Sequence, residues 1–188
     1  MENEKQKFGE PLEDFSLQQI DGPQTTLAEL LQGKKGAALV FWSGVCSHCA
    51  RYDPYFNSFQ AKHPELEWIV VASRHGETAE MIRKTAAERK LAFPILHDPG
   101  GVIARKWFTQ QTPRVFLMDA ERRLLYRGAV DNFKYPEDPE YLNYLEPAVE
   151  QFVSGAPVVR TETASFGCAI QSVYYILPKA IKNTKNKS

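Results

Sequence analysis

Continuous runs of apolar residues predict two strands that are buried on both faces. The runs cover residues 37–42 and 68–72, and neither shows the apolar–polar alternation of a strand with one face in water. Alternating positions predict a further strand within residues 14–20, and residues 115–118 with 124–126 predict a hairpin. The chain therefore contains the strands of a sheet with a buried centre.

Helical spacing of apolar residues predicts the segments between and after these strands. We predict helices over residues 46–62, 77–90, 101–108 and 139–152. Pro54 lies inside the first helix and is expected to bend it, because proline removes a backbone hydrogen bond. Strands alternate with helices before the hairpin and the last helix, so we predict an α/β fold with a central mixed β-sheet flanked by helices.

The length and composition of the chain predict one domain with two different ends. A chain of 188 residues is expected to form a single globular domain, which we place at residues 11–155. Residues 1–10 are polar and are expected to be flexible. Residues 156–188 form a C-terminal extension whose lysine-rich basic tail is expected to be solvated.

The charge balance argues against several classes of partner. Lys and Arg total 23 and Asp and Glu total 23, so no net charge attracts the chain to nucleic acid or to an anionic membrane. No apolar run approaches the roughly 20 residues of a membrane span. The mixed-charge start lacks the apolar stretch of a secretory signal, which favours a cytoplasmic protein; an exported protein given without its signal is the alternative. We expect a monomer or weak dimer.

A pair of cysteines carries the candidate chemistry. Cys46 and Cys49 follow the first buried strand with C-x-x-C spacing, at the predicted start of a helix. Backbone N–H groups and the positive end of the helix dipole stabilise a thiolate at the first cysteine, and one helical turn brings the second sulfur within bonding reach. Cys46 is therefore the expected attacking thiolate and Cys49 the resolving thiol. The dithiol itself carries two electrons, so we expect no cofactor.

A metal site and a buried structural pair are the alternatives for these cysteines. Zinc needs about four ligands, and the chain has four histidines that could contribute, namely His48, His63, His75 and His97. No second C-x-x-C and no H-x-x-x-H accompanies the pair, so we expect no metal. A structural pair would not need the polar Ser47 and His48 between its members.

Residues 41–49, Phe-Trp-Ser-Gly-Val-Cys-Ser-His-Cys, resemble the active-site signature F-W-x-x-x-C-x-x-C of the thioredoxin-like superfamily. The resemblance is to its redoxin and thiol-disulfide oxidoreductase branch, which includes the alkyl hydroperoxide reductase and thiol-specific antioxidant type. Pro54 stands where thioredoxins carry a helix-kinking proline, and Thr112-Pro113 stands where the family has a cis-proline loop. The resemblance covers roughly residues 11–155. It implies a thioredoxin-like fold and exchange with protein or small-molecule thiols and disulfides.

The resemblance also implies roles for residues around the dithiol. A cis bond at Pro113 would place the Thr112 backbone beside the sulfurs, where it pairs with an extended substrate peptide; an ordinary trans proline is the alternative. Trp42 is expected to pack beside the dithiol and shield it. His48 is expected to hydrogen-bond to, or pair with, the Cys46 thiolate and so tune the dithiol; an exposed histidine with little influence is the alternative.

Two positions depart from the family pattern and leave the proton acceptor open. Thioredoxins place a buried acid where this chain has Val40, and the cytochrome-maturation relatives place a glutamate where it has Tyr52. Asp53 lies at helical spacing from both cysteines and is a candidate proton acceptor for Cys49. A solvated charge on the helix is the alternative for Asp53.

The third cysteine lies beyond the predicted domain. Cys168 stands in the sequence Gly-Cys-Ala-Ile, which resembles the end of some redoxin-family sequences. Two interpretations are open. Cys168 is either a third redox thiol that forms a mixed disulfide or a small hydrophobic residue that packs the tail onto the domain.

Peroxide reduction and binding without catalysis are the alternative functions. Ser43 and Cys46 match half of the peroxidase pattern P-x-x-x-(T/S)-x-x-C, but Leu39 stands in place of its proline. A thioredoxin-fold binding module would be favoured if either cysteine of the pair were missing. We therefore expect a thiol-disulfide oxidoreductase.

Overall fold

The computed structural model describes residues 5–171, and this part of the chain contains nine strands and six helices. The strands are β1 (Ser16–Gln19), β2 (Gln24–Thr26), β3 (Gly36–Trp42), β4 (Leu66–Ala72), β5 (Ile95–His97), β6 (Gln111–Thr112), β7 (Arg114–Asp119), β8 (Leu124–Gly128) and β9 (Cys168–Ala169). The helices are α1 (Leu27–Leu30), α2 (Ser47–Ala50), α3 (Asp53–Lys62), α4 (Ala79–Glu88), α5 (Val102–Lys106) and α6 (Leu145–Val153).

Seven of the strands form one mixed sheet in the order β2-β1-β5-β4-β3-β7-β8. The central strand β3 pairs in parallel with β4, which pairs in parallel with β5. On its other side β3 pairs with β7, and β7 and β8 form an antiparallel hairpin. The remaining strands β6 and β9 form a separate two-stranded antiparallel sheet. The predicted α/β class and mixed sheet are confirmed.

Strand β3 separates two hydrophobic clusters, because its alternate side chains point to opposite faces of the sheet. All seven of its residues are buried, as the continuous apolar run predicts. Side chains of α3, α4 and α6 cover one face, and side chains of α1 and α5 cover the other. Cys46 and Cys49 belong to the first of these clusters. The dithiol is therefore attached to the most deeply buried strand of the fold.

The helix predicted over residues 46–62 is wrong in one respect, because the structure divides it in two. Helix α2 ends at Ala50 and α3 begins at Asp53. Pro54 therefore lies in the first turn of α3, where its missing N–H would have no helical partner in any case. It begins a helix and does not bend a longer one.

The last predicted helix, residues 139–152, also begins too early. Helix α6 starts at Leu145, and the residues before it form a loop in which Asp131 pairs with Asn143. The Asn143 side chain accepts the Glu146 N–H at 2.9 Å and so satisfies a donor of the first helical turn. The polar residues before Leu145 therefore belong to the loop that precedes the helix.

At both ends of the described chain, backbone hydrogen bonds attach the terminal segments to the main sheet. Gly9 and Glu10, which we placed in a flexible segment, form backbone hydrogen bonds with Leu124. Thr161 and Thr163, in the C-terminal extension, form backbone hydrogen bonds with Arg127 of β8. The predicted basic tail lies outside the described residues. No helix within residues 5–171 is both long and apolar enough to cross a bilayer.

Candidate dithiol site

The two cysteines of the C-x-x-C motif lie at the end of β3, around the single turn of α2. Cys46 is the N-cap residue of α2, and the Cys49 N–H donates to the Cys46 carbonyl at 3.0 Å. Both are free thiols, with 1 % of Cys46 and none of Cys49 exposed to solvent. The Cys49 thiol is within hydrogen-bonding reach of the Cys46 sulfur. The pair is therefore placed for formation of an intramolecular disulfide.

The surroundings of Cys46 favour its thiolate. The hydrogen bond from the Cys49 thiol is the largest of the causes that lower the pKa of Cys46 to about 4. The Cys168 thiol and the Thr112 side chain also donate to this sulfur, whereas burial opposes ionisation. The Thr112 carbonyl oxygen, 3.3 Å from Cys46 Sγ, accepts a hydrogen bond only from the neutral thiol, and the donors outweigh it. Cys46 is therefore a thiolate at neutral pH.

Cys49 has the opposite tendency. Burial is the largest of the causes that raise the pKa of Cys49, followed by the hydrogen bond it donates to Cys46 and the negative charge there. One thiol of the pair is thus ionised while the other keeps its proton. This asymmetry depends more on donors to the sulfur than on a helix dipole, because α2 has only four residues.

The loop before β7 completes the site. The Thr112–Pro113 peptide bond is cis, and Thr112 is fully buried against Cys46. Thr112 also pairs with Cys168 in the small sheet of β6 and β9, which brings the third cysteine to the same place. Three distant segments of the chain therefore meet at the Cys46 sulfur.

Residues 8–127 match the model of the AhpC/TSA family. The chain belongs to the AhpC/TSA family. The thiol-disulfide oxidoreductase ResA of Bacillus thuringiensis is 26% identical over 144 residues, which are 77% of this chain and 82% of that protein. The predicted relationship to the redoxin branch is thereby confirmed.

The fold of this chain is similar to that of several solved structures. A hypothetical protein from Sinorhizobium meliloti 1021 has a TM-score of 0.78 and 26% identity, covering 90% of this chain and 97% of that one. A secreted disulfide oxidoreductase of Mycobacterium tuberculosis has a TM-score of 0.51 and 24% identity, covering 58% and 79%. The thioredoxin-like fold is confirmed. The match to the Sinorhizobium meliloti structure covers more of this chain than the family model does.

Trp42 is fully buried in the same hydrophobic cluster as both cysteines, and its role as a shield of the dithiol stays a prediction. The Arg89 guanidinium lies over its ring, 5.4 Å from the centroid, and donates to the Gly44 carbonyl at 2.9 Å. Arg89 therefore holds both the tryptophan and the loop that leads to Cys46. The sequence offered no local signal for this role, because Arg89 follows an ordinary amphipathic helix.

Asp53 is not directed at the sulfurs. Its Oδ2 accepts from Arg89 Nε at 2.6 Å, and its Oδ1 accepts from a second Arg89 nitrogen. The break between α2 and α3 also removes the helical spacing that would have aligned Asp53 with the two cysteines. The structure thus gives Asp53 a partner other than Cys49, and we interpret Asp53 as an anchor for Arg89. Its role as proton acceptor for Cys49 stays a prediction.

His48 is in the right place but contacts other groups than expected. Its ring stacks on Phe133 with 4.8 Å between the centroids, and its Nδ1 is buried without a partner among the described residues. Its backbone N–H donates to the Cys168 sulfur. An influence of the His48 ring on Cys46 stays a prediction.

Glu77 is a site residue that the sequence analysis missed. It is buried, with 6 % exposed, and its Oε1 accepts the Gly44 N–H at 2.7 Å. Burial raises the pKa of this carboxyl. Glu77 follows β4, the parallel neighbour of β3, and the carboxyl ends of parallel strands meet at one edge of a sheet. That topology was the signal that could have found it.

The histidines do not assemble a metal site with the cysteines. Within residues 5–171, no three or more His, Cys, Asp or Glu side chains come together in a way that could hold a metal ion. His63, one of the four histidines considered, pairs instead with Glu146 at 2.9 Å. The described arrangement supports thiol chemistry at Cys46 and Cys49.

Proposed function

We propose that this AhpC/TSA protein is a thiol-disulfide oxidoreductase that exchanges disulfides with protein or small-molecule partners through Cys46 and Cys49. One observation carries the proposal: two free cysteines lie in contact around the single turn of α2, and the cis-Pro113 loop lies against the first of them. The pKa of Cys46 is lowered and that of Cys49 is raised, which agrees with this arrangement. A thiolate is the nucleophile of disulfide exchange, and a neighbouring protonated thiol is held in reserve for the second step. The similarity to oxidoreductases of this family supports the same conclusion.

The first step is attack by the Cys46 thiolate on a sulfur of the partner disulfide. A Cys46–partner bond forms, the partner's own disulfide breaks, and one partner thiolate leaves with the electron pair. The negative charge on Cys46 is consumed in this step. One of the causes that raise the pKa of Cys49 is therefore lost when Cys49 is needed.

The second step releases the partner. Cys49 loses its proton and attacks the Cys46 sulfur, the Cys46–partner bond breaks, and a Cys46–Cys49 disulfide remains. The protein has then lost two electrons and the partner has gained them. The same steps in reverse oxidise a partner dithiol.

Serine substitutions of the two cysteines separate these steps. Cys46→Ser removes the nucleophile and is expected to abolish reduction of insulin disulfides. Cys49→Ser combined with Cys168→Ser keeps the nucleophile but neither of the other two thiols, so a mixed disulfide at Cys46 is expected to accumulate and to appear on non-reducing electrophoresis. Circular dichroism shows whether both variants remain folded. Turnover of the double variant at the rate of Cys168→Ser alone would contradict the resolving role of Cys49.

Peroxide reduction is the second candidate because the chain belongs to the AhpC/TSA family. Leu39 lies inside β3, however, at the position where the peroxidase pattern has its proline. Hydrogen peroxide consumption, measured beside insulin reduction, distinguishes the two functions. Rapid peroxide consumption with sulfenic acid at Cys46 and little insulin reduction would overturn the proposed exchange function.

A further inference from the structure

The C-terminal extension brings a short extended segment to the dithiol. We call residues 167–170 the tail segment; it contains β9. Cys168 lies opposite Thr112 and Ala169 opposite Gln111 in the antiparallel pair of β9 and β6. The Ile170 N–H donates to the Gln110 carbonyl at 2.9 Å and continues this pairing. The tail segment thus occupies the backbone edge that leads into the cis proline.

An extended partner peptide that pairs with this same edge reaches Cys46. The Thr112 carbonyl oxygen is 3.3 Å from Cys46 Sγ, so an extended peptide paired with Thr112 places one of its own side chains beside Cys46. In the tail segment that side chain is a cysteine, and its thiol contacts the Cys46 sulfur. Cys168 therefore occupies the position that the attacked sulfur of a partner would take.

Close packing on both sides of Cys168 fixes the tail segment. A Cβ on Gly167 would lie 1.8 Å from the Thr112 carbonyl oxygen, so only glycine fits at that position. Ile170 is 1 % exposed and packs in the hydrophobic cluster on the opposite face of the sheet from the dithiol. Its carbonyl accepts the His75 N–H at 2.8 Å. The contact between Cys168 and Cys46 therefore follows from specific anchoring of the segment.

We propose that the tail segment is an internal substrate of the dithiol and that Cys168 forms a disulfide with Cys46. The inference rests on the proposed exchange function. In the oxidised protein, Cys168 loses its proton and attacks the Cys46 sulfur of the Cys46–Cys49 bond. A Cys46–Cys168 bond forms, and the electron pair of the broken bond goes to Cys49, which takes up a proton. One disulfide replaces another, so this exchange needs no added oxidant.

The ionisation of Cys168 is consistent with this order of events. In the reduced protein, burial, the hydrogen bond to Cys46 and the negative charge of Cys46 raise the pKa of Cys168. That charge is absent once Cys46 is in a disulfide, so Cys168 ionises more easily when Cys46 has become a target. A partner must displace the tail segment to reach Cys46, because the segment occupies the same edge.

Glutathione disulfide is the probe that tests the inference in the Cys49→Ser variant. Cys46 first forms a mixed disulfide with glutathione, and Cys168 then displaces the second glutathione. Peptide mapping under non-reducing conditions is expected to show a Cys46–Cys168 bond. The matched double variant, Cys49→Ser with Cys168→Ser, is expected to retain glutathione on Cys46.

The outcomes distinguish this inference from the proposed function. Equal glutathione on Cys46 in the single and the double variant, with Cys168 free, would overturn the inference and leave the exchange function intact. A Cys46 that takes up no glutathione in either variant would overturn both, because it would not attack disulfides.

A second test weakens the packing of Ile170 and leaves the Cys46 and Cys168 sulfurs in place. Ile170→Ala in the Cys49→Ser background is expected to lower the ratio of Cys46–Cys168 disulfide to glutathione mixed disulfide by at least about tenfold, since a buried isoleucine is truncated. Val159→Ala, at a position that is 81 % exposed in the same extension, is the control and is expected to leave the ratio unchanged. An unchanged ratio in Ile170→Ala would overturn the role of the anchored segment.

Discussion

At the scale of single residues, the site depends on two cysteines with opposite ionisation. Cys46 and Cys49 share a helical turn, but their pKa values are displaced in opposite directions. Hydrogen bonds to its sulfur lower the pKa of Cys46, whereas burial, followed by the hydrogen bond that it donates, raises the pKa of Cys49. The motif predicts that Cys46 is the attacking thiol, and this role stays a prediction. The motif could not show the donors from Thr112 and Cys168, because both are far from the motif in sequence and reach it only through the fold.

The ion pair between Asp53 and Arg89 gives a prediction at this scale. Asp53→Asn is expected to lower the free energy of unfolding by about 1–3 kcal/mol, since a poorly exposed charged hydrogen bond is lost. The rate at which Cys49 releases a mixed disulfide is expected to stay within about twofold, a change of under 1 kcal/mol in the barrier. Urea unfolding and single-turnover kinetics measure the two quantities.

A second carboxylate provides the control for this substitution. Glu88 pairs with Lys84 on the surface, with side chains 65% and 76% exposed, so Glu88→Gln is expected to cost under about 0.5 kcal/mol. Slow release in Asp53→Asn with unchanged stability would contradict the anchoring role and support Asp53 as a proton acceptor.

At the scale of elements, the strands were more predictable than the helices next to the site. The buried runs of β3 and β4 are short continuous apolar segments, and their length favours a core strand over a buried helix. Pro54 is the local signal for the division between α2 and α3, but apolar residues keep a helical period across it and so favoured one bent helix. Tyr52, between the helices, is buried and donates to Asp131 at 2.5 Å, a contact that the local sequence does not show.

The position of Pro54 gives a prediction for α3. Pro54→Ala is expected to change the free energy of unfolding by no more than about 1 kcal/mol, because proline in a first turn breaks no helical hydrogen bond. Ser58→Pro, in the interior of the same helix, is the matched control and is expected to cost about 3 kcal/mol or more. Urea unfolding measures both. A Pro54→Ala variant as damaged as Ser58→Pro would contradict the assigned start of α3.

At the scale of the whole molecule, the fold brings three distant segments to one sulfur. The central sheet could be predicted from the sequence because its buried strands are continuous apolar runs. The pairing of β6 with β9 left no such record, since each strand has two residues. The sequence therefore singled out Cys168 but could not place it at Cys46.

The ionisation of Cys46 also affects the stability of the folded chain. Folding lowers the pKa of Cys46 from the value of an ordinary thiol to about 4. The stability that the thiolate contributes is therefore fully present above the pKa of Cys46 in the unfolded chain, which is about 8.5. It is lost as the pH falls toward the pKa of Cys46 in the folded protein. A stabilised thiolate also favours the reduced dithiol and makes the disulfide more oxidising.

The ionisation of Cys46 in the reduced, folded protein tests this account most directly. Thiolate ultraviolet absorbance is followed as the pH is lowered, and the Cys46→Ser variant supplies the baseline. One thiolate is expected to persist through neutral pH and to be lost with a midpoint of about 4. A midpoint near about 8.5, the value of an ordinary cysteine, would contradict it.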